Sequence, residues 1–163
     1  MTKIGVISDT HGIFDDKLID FLMPCDEIWH AGDIGSIRLL QQLENFKPLK
    51  AVYGNIDDNK VRQCIPEINR FKCEDKDIMI THIGGYPGRY ETKISGMFEA
   101  YPPDIFICGH SHILKVQFDK KYNLMHINPG AAGKSGFHRY RTAIRFQING
   151  TDLKELEVLE IER

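Results

Sequence analysis

The chain reads as an α/β protein in which βαβ units come first and mostly antiparallel strands follow. Three observations carry this reading. Short apolar runs alternate with segments of helical periodicity as far as Tyr53. After Pro66 the apolar runs stand closer together, mostly with turn residues between them. The runs of the first half end in polar loops that contain glycine, the rhythm of strand, loop and helix that builds a parallel sheet.

The elements follow in order. Lys3 to Ser8 is an apolar run closed by Asp9-Thr10-His11-Gly12. Asp15 to Met23 places Leu18, Ile19 and Leu22 at helical spacing. Glu27 to His30 is a second strand, ending at Ala31-Gly32-Asp33, with Trp29 expected in the core. Ile37 to Phe46 is a helix with Ile37, Leu40 and Leu43 inward, and Leu49 to Tyr53 is a third strand that runs into Gly54-Asn55. Ile68 to Cys73 and Asp77 to Thr81 predict adjacent strands turning near Glu74-Asp75-Lys76. Glu91 to Ala100 reads as a helix, and Asp104 to Cys108 as a strand ending at Gly109-His110-Ser111-His112. Lys115 to Phe118 with Leu124 to Ile127, and Arg141 to Ile148 with Leu153 to Leu159, predict hairpins, the second around the turn dipeptide Asn149-Gly150. Glu160 to Arg163 is expected to fray.

The bulk properties bound the function. A chain of 163 residues, 42% hydrophobic and 27% charged, suits one soluble domain over residues 1–163. The net charge of −2 argues against long nucleic acid as a partner. No apolar run approaches the roughly 20 residues of a membrane span, and the first residues do not read as a signal peptide, so the expectation is a cytoplasmic protein without membrane contact. Cys25, Cys64, Cys73 and Cys108 form no C-x-x-C pair and are expected as thiols, with Cys108 in the core. A homo-oligomer is compatible with all of this.

The strand ends carry the chemistry. Asp9 and His11 follow the first strand, Asp33 the second, Asn55 the third, His82 the strand ending at Thr81, and His110 and His112 the strand ending at Cys108. The i, i+2 pairs would share one side of an extended chain. In open α/β sheets ligands bind beyond the carboxyl ends of the strands, so these residues are expected to converge. Carboxylate, imidazole and amide donors suit Mn²⁺, Fe²⁺, Ni²⁺ or Zn²⁺, and no thiolate marks a closed structural zinc site. Seven donors are too many for one ion but suit two ions that share a carboxylate, with Asp33 as the natural bridge. A lone histidine beside a strand is more often a structural group, and a lone Gly-Asp is more often a turn; the ordered set is what points to metal.

With Asp9-Thr10-His11, Gly32-Asp33, Gly54-Asn55-Ile56-Asp57, His82 and Gly109-His110-Ser111-His112 in this order, the sequence resembles the calcineurin-like metallophosphoesterase superfamily. Asn128-Pro129-Gly130 and the short length make it similar to the small bacterial and archaeal phosphodiesterase subgroup. The resemblance implies a four-layer αββα sandwich of two mixed β-sheets flanked by helices. It implies one ion on Asp9, His11 and His112, a second on Asn55, His82 and His110, and Asp33 between them. The ions would be divalent, Mn²⁺ foremost, with Ni²⁺, Fe²⁺, Zn²⁺ or Co²⁺ as alternatives. Many superfamily members place a leaving-group histidine directly after the asparagine, where this chain has Ile56; good leaving groups are therefore favoured. Relatives often carry a serine after the later glycine, where this chain continues Gly130-Ala131-Ala132.

The function expected is hydrolysis of a small phosphodiester by metal-activated water, with Asn55 and His110 as candidate catalytic residues. The alternatives are a phosphomonoesterase or nucleotidase with the same metals, and a non-catalytic scaffold like the retromer subunit of this shape. Arg89, Lys134, His138 and Arg139 are the candidate substrate contacts, because arginine and lysine suit phosphate. Arg141 belongs to the same basic cluster. Tyr86 and Tyr90 are offered either for stacking or for packing, and His30 and His126 either as supports of the site or as ordinary buried histidines.

Overall fold

The computed structural model describes residues 1–163. The order is β1 (Thr2–Ile7), α1 (Asp16–Leu22), β2 (Glu27–His30), α2 (Ile37–Phe46), β3 (Leu49–Ala51), α3 (Asn59–Arg62), β4 (Ile68–Cys73) and β5 (Lys76–Thr81), followed by β6 (Gly85–Tyr86), β7 (Arg89–Tyr90), α4 (Thr92–Ala100), β8 (Ile105–Ile107), β9 (Leu114–Asp119), β10 (Leu124–Pro129), β11 (Tyr140–Asn149) and β12 (Asp152–Glu162). One five-stranded sheet runs β12-β11-β1-β2-β3 and the other β4-β5-β8-β10-β9, while β6 and β7 form a small ribbon.

Side-chain alternation sorts the chain into layers. Ile4, Val6, Trp29, Ile78, Ile80, Ile105, Ile107 and Ile127 project between the sheets, together with Ile144, Phe146 and Ile148. The intervening positions face the helices. Ile7 and Ile28 pack with Leu18, Leu22, Leu40 and Leu43 of α1 and α2. Met79, Phe106 and Cys108 pack with Ile94 and Phe98 of α4. Both faces of the central strands are thus apolar, which is why they read as continuous runs rather than as alternating ones. The result is the αββα sandwich of two mixed sheets.

The helices start where the sequence offers caps. Asp15 accepts from the Leu18 N–H, Ser36 from Leu39 and Asp58 from Val61. Arg141 is buried and donates to both oxygens of Asp15 at 2.9 and 3.1 Å, tying β11 to the start of α1.

Three expectations need correction. Glu160 to Glu162 do not fray: they pair with Thr142, Arg141 and Tyr140, because Ile161 is buried and carries its neighbours into the sheet. The third strand stops at Ala51; Tyr53 turns away to donate to the Pro66 carbonyl. The second half is less antiparallel than expected, since α4 serves as a crossover that sets β8 parallel to β5 and to β10. The one-turn helix α3 and the β6–β7 ribbon were not legible, being too short for periodicity. No helix is long and apolar enough to cross a membrane.

Candidate metal centre

The loops leaving β1, β2, β3, β5 and β8 meet. The loop after β1 lies along the loop after β2, with Asp9, His11 and Gly12 donating to the Gly32, Asp33 and Ile34 carbonyls. His82 of the second sheet reaches the first, its Nδ1–H donating to the Ala31 carbonyl at 2.7 Å. Gly109 donates to the His82 carbonyl. The site therefore spans the seam between the sheets.

The seven residues converge as the strand-end argument expects, but not through extended chain. Asp9, His11, Asp33, His110 and His112 all have φ between +47° and +68°. They are five of the eight non-glycine residues in the left-handed region. Each such residue costs on the order of 1–3 kcal/mol, held by surrounding structure, and such residues cluster where side chains must be aimed. Gly54 is needed for a different reason: a Cβ there would overlap the backbone nitrogen and carboxylate of Asp33.

The donor atoms are spaced like ligands around ions. His112 Nε2 lies 3.1 Å from Asp9 Oδ1, His82 Nε2 3.2 Å from Asp33 Oδ2, and His110 Nδ1 3.1 Å from Asn55 Oδ1. His11 Nε2 stands 3.6 Å from Asp33 Oδ2 and 3.9 Å from Asp9 Oδ1. Two donors bound at about 2.1 Å and at right angles are about 3 Å apart, so these separations fit shared ions. The Asp9, His11 and His112 donors form one cluster, and the Asp9, Asp33 and His82 donors another, each within 4.8 Å.

Two atoms test the fit most sharply. His11 Nε2 and His82 Nε2 are buried and have no hydrogen-bond partner. In neutral His82, the Nδ1–H bond to Ala31 leaves the Nε2 lone pair aimed at carboxylate oxygens. A proton or a cation must lie between them. Without metal, burial pulls the His82 pKa down, but the adjacent Asp33 carboxylate and the charge of Asp9 outweigh it and raise it. Burial likewise would raise the Asp9 carboxyl, yet the His112 hydrogen bond, the His82 charge and the Ser8 hydroxyl hold it below the usual carboxylate range. A divalent ion would take the place of the proton.

A second set of residues holds the loops. The buried Asp57 carboxylate accepts the backbone N–H groups of Ile34, Gly35 and Gly54 at 3.1, 2.9 and 2.9 Å. Arg62 donates to the Asp57 and Asn55 carbonyls and stacks on Tyr53. Asp33 Oδ1 accepts from the Ile56 N–H, which leaves Oδ2 for the cluster. Ser8 and the His110 N–H donate to Asp9 Oδ2. Asn128 donates to the Gly109 carbonyl and the Ser111 hydroxyl. The sequence signal for Asp57 was the Gly54-Asn55-Ile56-Asp57 turn; nothing in the sequence marks Arg62 or Ser8.

His30 is a support. It accepts from the Gly32 N–H and donates to Thr10, which donates to the Ile34 carbonyl; burial pulls its pKa down to about 4. His126 is buried beside Tyr90 and Phe106, its pKa likewise lowered by burial to about 4. Tyr90 packs against Phe98 and Phe106.

A cleft of about 550 Å³ opens over the cluster. His138 lines it, with its ring centroid 5.0 Å from that of His112 and its Nε2–H on the Gly133 carbonyl. Arg89, Lys134 and Arg139 do not line it. Arg89 is exposed on β7, Lys134 borders a groove near Asp15, and Arg139 lies over Tyr140. Arg141 is committed to Asp15 and the Ala132 carbonyl.

An αββα sandwich whose facing strand ends gather carboxylate and imidazole donors defines a class of metal-dependent hydrolases. Residues 2–151 match the model of the calcineurin-like phosphoesterase superfamily domain. A probable metallophosphoesterase of Methanocaldococcus jannaschii is 33% identical, over 78% of this chain and 67% of its own. One of Methanothermobacter thermautotrophicus is 28% identical, over 78% and 76%. Among solved structures, an archaeal phosphodiesterase superimposes with a TM-score of 0.75 at 21% identity, covering 98% of this chain and 99% of that one. Vps29 of Entamoeba histolytica, solved with zinc, gives 0.74 at 17% identity, covering 98% of each. The chain belongs to the calcineurin-like phosphoesterase superfamily, a family that uses divalent metals.

Proposed function

We propose that this chain is a phosphodiesterase that depends on two divalent ions, Mn²⁺ foremost, and hydrolyses a small phosphodiester in the cytoplasm. The observation that carries the reading is the pair of unpartnered buried nitrogens, His11 Nε2 and His82 Nε2, facing the same Asp33 oxygen. Asp9, His11 and His112 would hold one ion, Asn55, His82 and His110 the other, and Asp33 Oδ2 would lie between them. Bound there, the ions would supply positive charge to phosphoryl oxygens and lower the pKa of a water.

The remaining work belongs to the protein. Asn55 is exposed at the cleft and its amide N–H₂ is free to donate to a phosphoryl oxygen while Oδ1 faces inward. His110, also exposed, has its Nδ1 3.1 Å from that Oδ1, so one ion would hold both and fix the amide's orientation. Ser8 and the His110 backbone keep Asp9 aimed, and the left-handed backbone keeps the donors from relaxing away.

The cleft contains no lysine or arginine. The archaeal phosphodiesterase of the same fold supports the choice of a diester. The test is hydrolysis of a diester and a monoester with the same good leaving group, after chelation and single-metal add-back. Diester turnover restored by a transition metal and reduced at least 10²-fold in His110→Ala is the expected result. Unchanged metal content and rate in Asp33→Ala would refute the assignment.

A further inference from the structure

The cleft wall that is not polar is apolar and open. Ile56, Ile113 and Phe137 line the same cavity as His11, Asp33, Asn55 and His110. All three are exposed: Ile56 at 46%, Ile113 at 62%, and Phe137 fully. They come from three separate segments, the loop after β3, the loop before β9 and the turn before β11. Each is fixed next to a proposed metal ligand: Ile56 donates its N–H to Asp33, and the Ile113 N–H is held by Ser111, between His110 and His112. Gly136 brings the Phe137 segment against His112, where a Cβ would run into the imidazole ring. Scattered surface hydrophobics need no explanation, but three around one polar cleft do.

We propose that Ile56, Ile113 and Phe137 form an apolar collar that selects phosphodiesters whose retained ester group, the one that does not leave, is an aromatic or other flat apolar substituent. This rests on the phosphodiesterase reading and names its substrate class. The polar floor suits one phosphoryl group, and the side chains beside it are Ile56, Ile113 and Phe137, so the rest of the ligand meets hydrocarbon. A planar ring suits an aromatic edge at Phe137 and the branched side chains of Ile56 and Ile113. The placement of Ile56 also explains its position directly after Asn55: a side chain there contacts the substituent rather than delivering a proton.

The experiment uses the metal-loaded full chain and two esters with one leaving group, 4-nitrophenyl phenyl phosphate and 4-nitrophenyl methyl phosphate. Covering about half of the phenyl ring corresponds to roughly a tenfold preference in kcat/KM for the phenyl ester. In Ile113→Ser/Phe137→Ser the preference falls toward one, with the loss in KM, while metal content stays at two ions per chain. Phe137→Leu, which keeps hydrocarbon there, restores most of it. A wild-type preference of one, or a preference unchanged in the double variant, overturns the collar and leaves the phosphodiesterase standing. Hydrolysis of neither ester by wild-type protein with both ions bound overturns both and leaves the collar to contact with another macromolecule.

Discussion

Asp57 offers the sharpest test of how the loops are held. Its carboxylate accepts three backbone N–H groups, from Ile34 and Gly35 after β2 and from Gly54 after β3. These segments carry Asp33 and Asn55. In Asp57→Ala three buried or half-buried donors lose their partner. At about 1–2 kcal/mol each, allowing for water entering the space, the cost is about 3–6 kcal/mol. That is a large part of the roughly 5–15 kcal/mol by which domains are stable. Asp57→Asn is gentler: one amide oxygen can keep the Ile34 and Gly54 bonds, while the NH₂ group opposes the Gly35 N–H, for about 1–3 kcal/mol. Urea unfolding of the metal-free variants reads the stability, and metal titration reads the loops. The expected outcome is a lower midpoint for both variants and weaker metal affinity in Asp57→Asn although it touches no proposed ligand position. An Asp57→Asn protein with the wild-type midpoint and affinity would refute the claim that this carboxylate sets the loops.

Gly54→Ala forces the chain away from Asp33 and is expected to cut metal affinity at least tenfold, measured by competition with a chromogenic chelator. Arg141→Met breaks the bidentate pair with Asp15 and the bond to the Ala132 carbonyl; thermal unfolding should show a loss of about 2–4 kcal/mol, because Asp15 then caps α1 alone and Ala132 is left buried. His30 and His126 have pKa values near 4 in the fold against 6.5 for the free group. Their contribution is full above about pH 6.5 and is lost as pH falls toward 4, by up to about 3 kcal/mol each. Urea midpoints of metal-free protein at pH 7 and pH 5 measure this, and His126→Leu should flatten part of the slope. Cys64 is the one exposed thiol, so native alkylation should label one site and denatured alkylation four.

Much of the site was legible because its residues are punctuation. Asp9, Asp33, Asn55, His82, His110 and His112 stand where an apolar run stops, and a run's end can be read without knowing the sheet order. What could not be read is how they are aimed. The i, i+2 pairs converge through left-handed backbone, a conformation that no residue type at Asp9 or His112 announces. The basic residues near Gly130 were visible as charge, but charge says nothing of direction: Arg141 turned inward to Asp15 and Arg139 onto Tyr140, and only His138 lines the cleft. Phe137 and Ile113 were invisible as a pair because their contact with the cleft depends on two turns meeting across the sandwich. The charge of Glu160, Glu162 and Arg163 suggests a frayed end, but the single inward Ile161 pins it to the sheet.

The bonds from His110 and His112 to Asp9 join residues 101 and 103 positions apart. During synthesis, the first sheet's β1, β2 and β3 leave the ribosome long before β8, so Asp9 and Asp33 wait with half their neighbours unmade. Long-range closures of this kind come late in folding and slow it. The candidate metal rim is therefore a report on completion: it comes into being only when both sheets have docked, and a nascent or half-unfolded chain has nowhere to gather these donors.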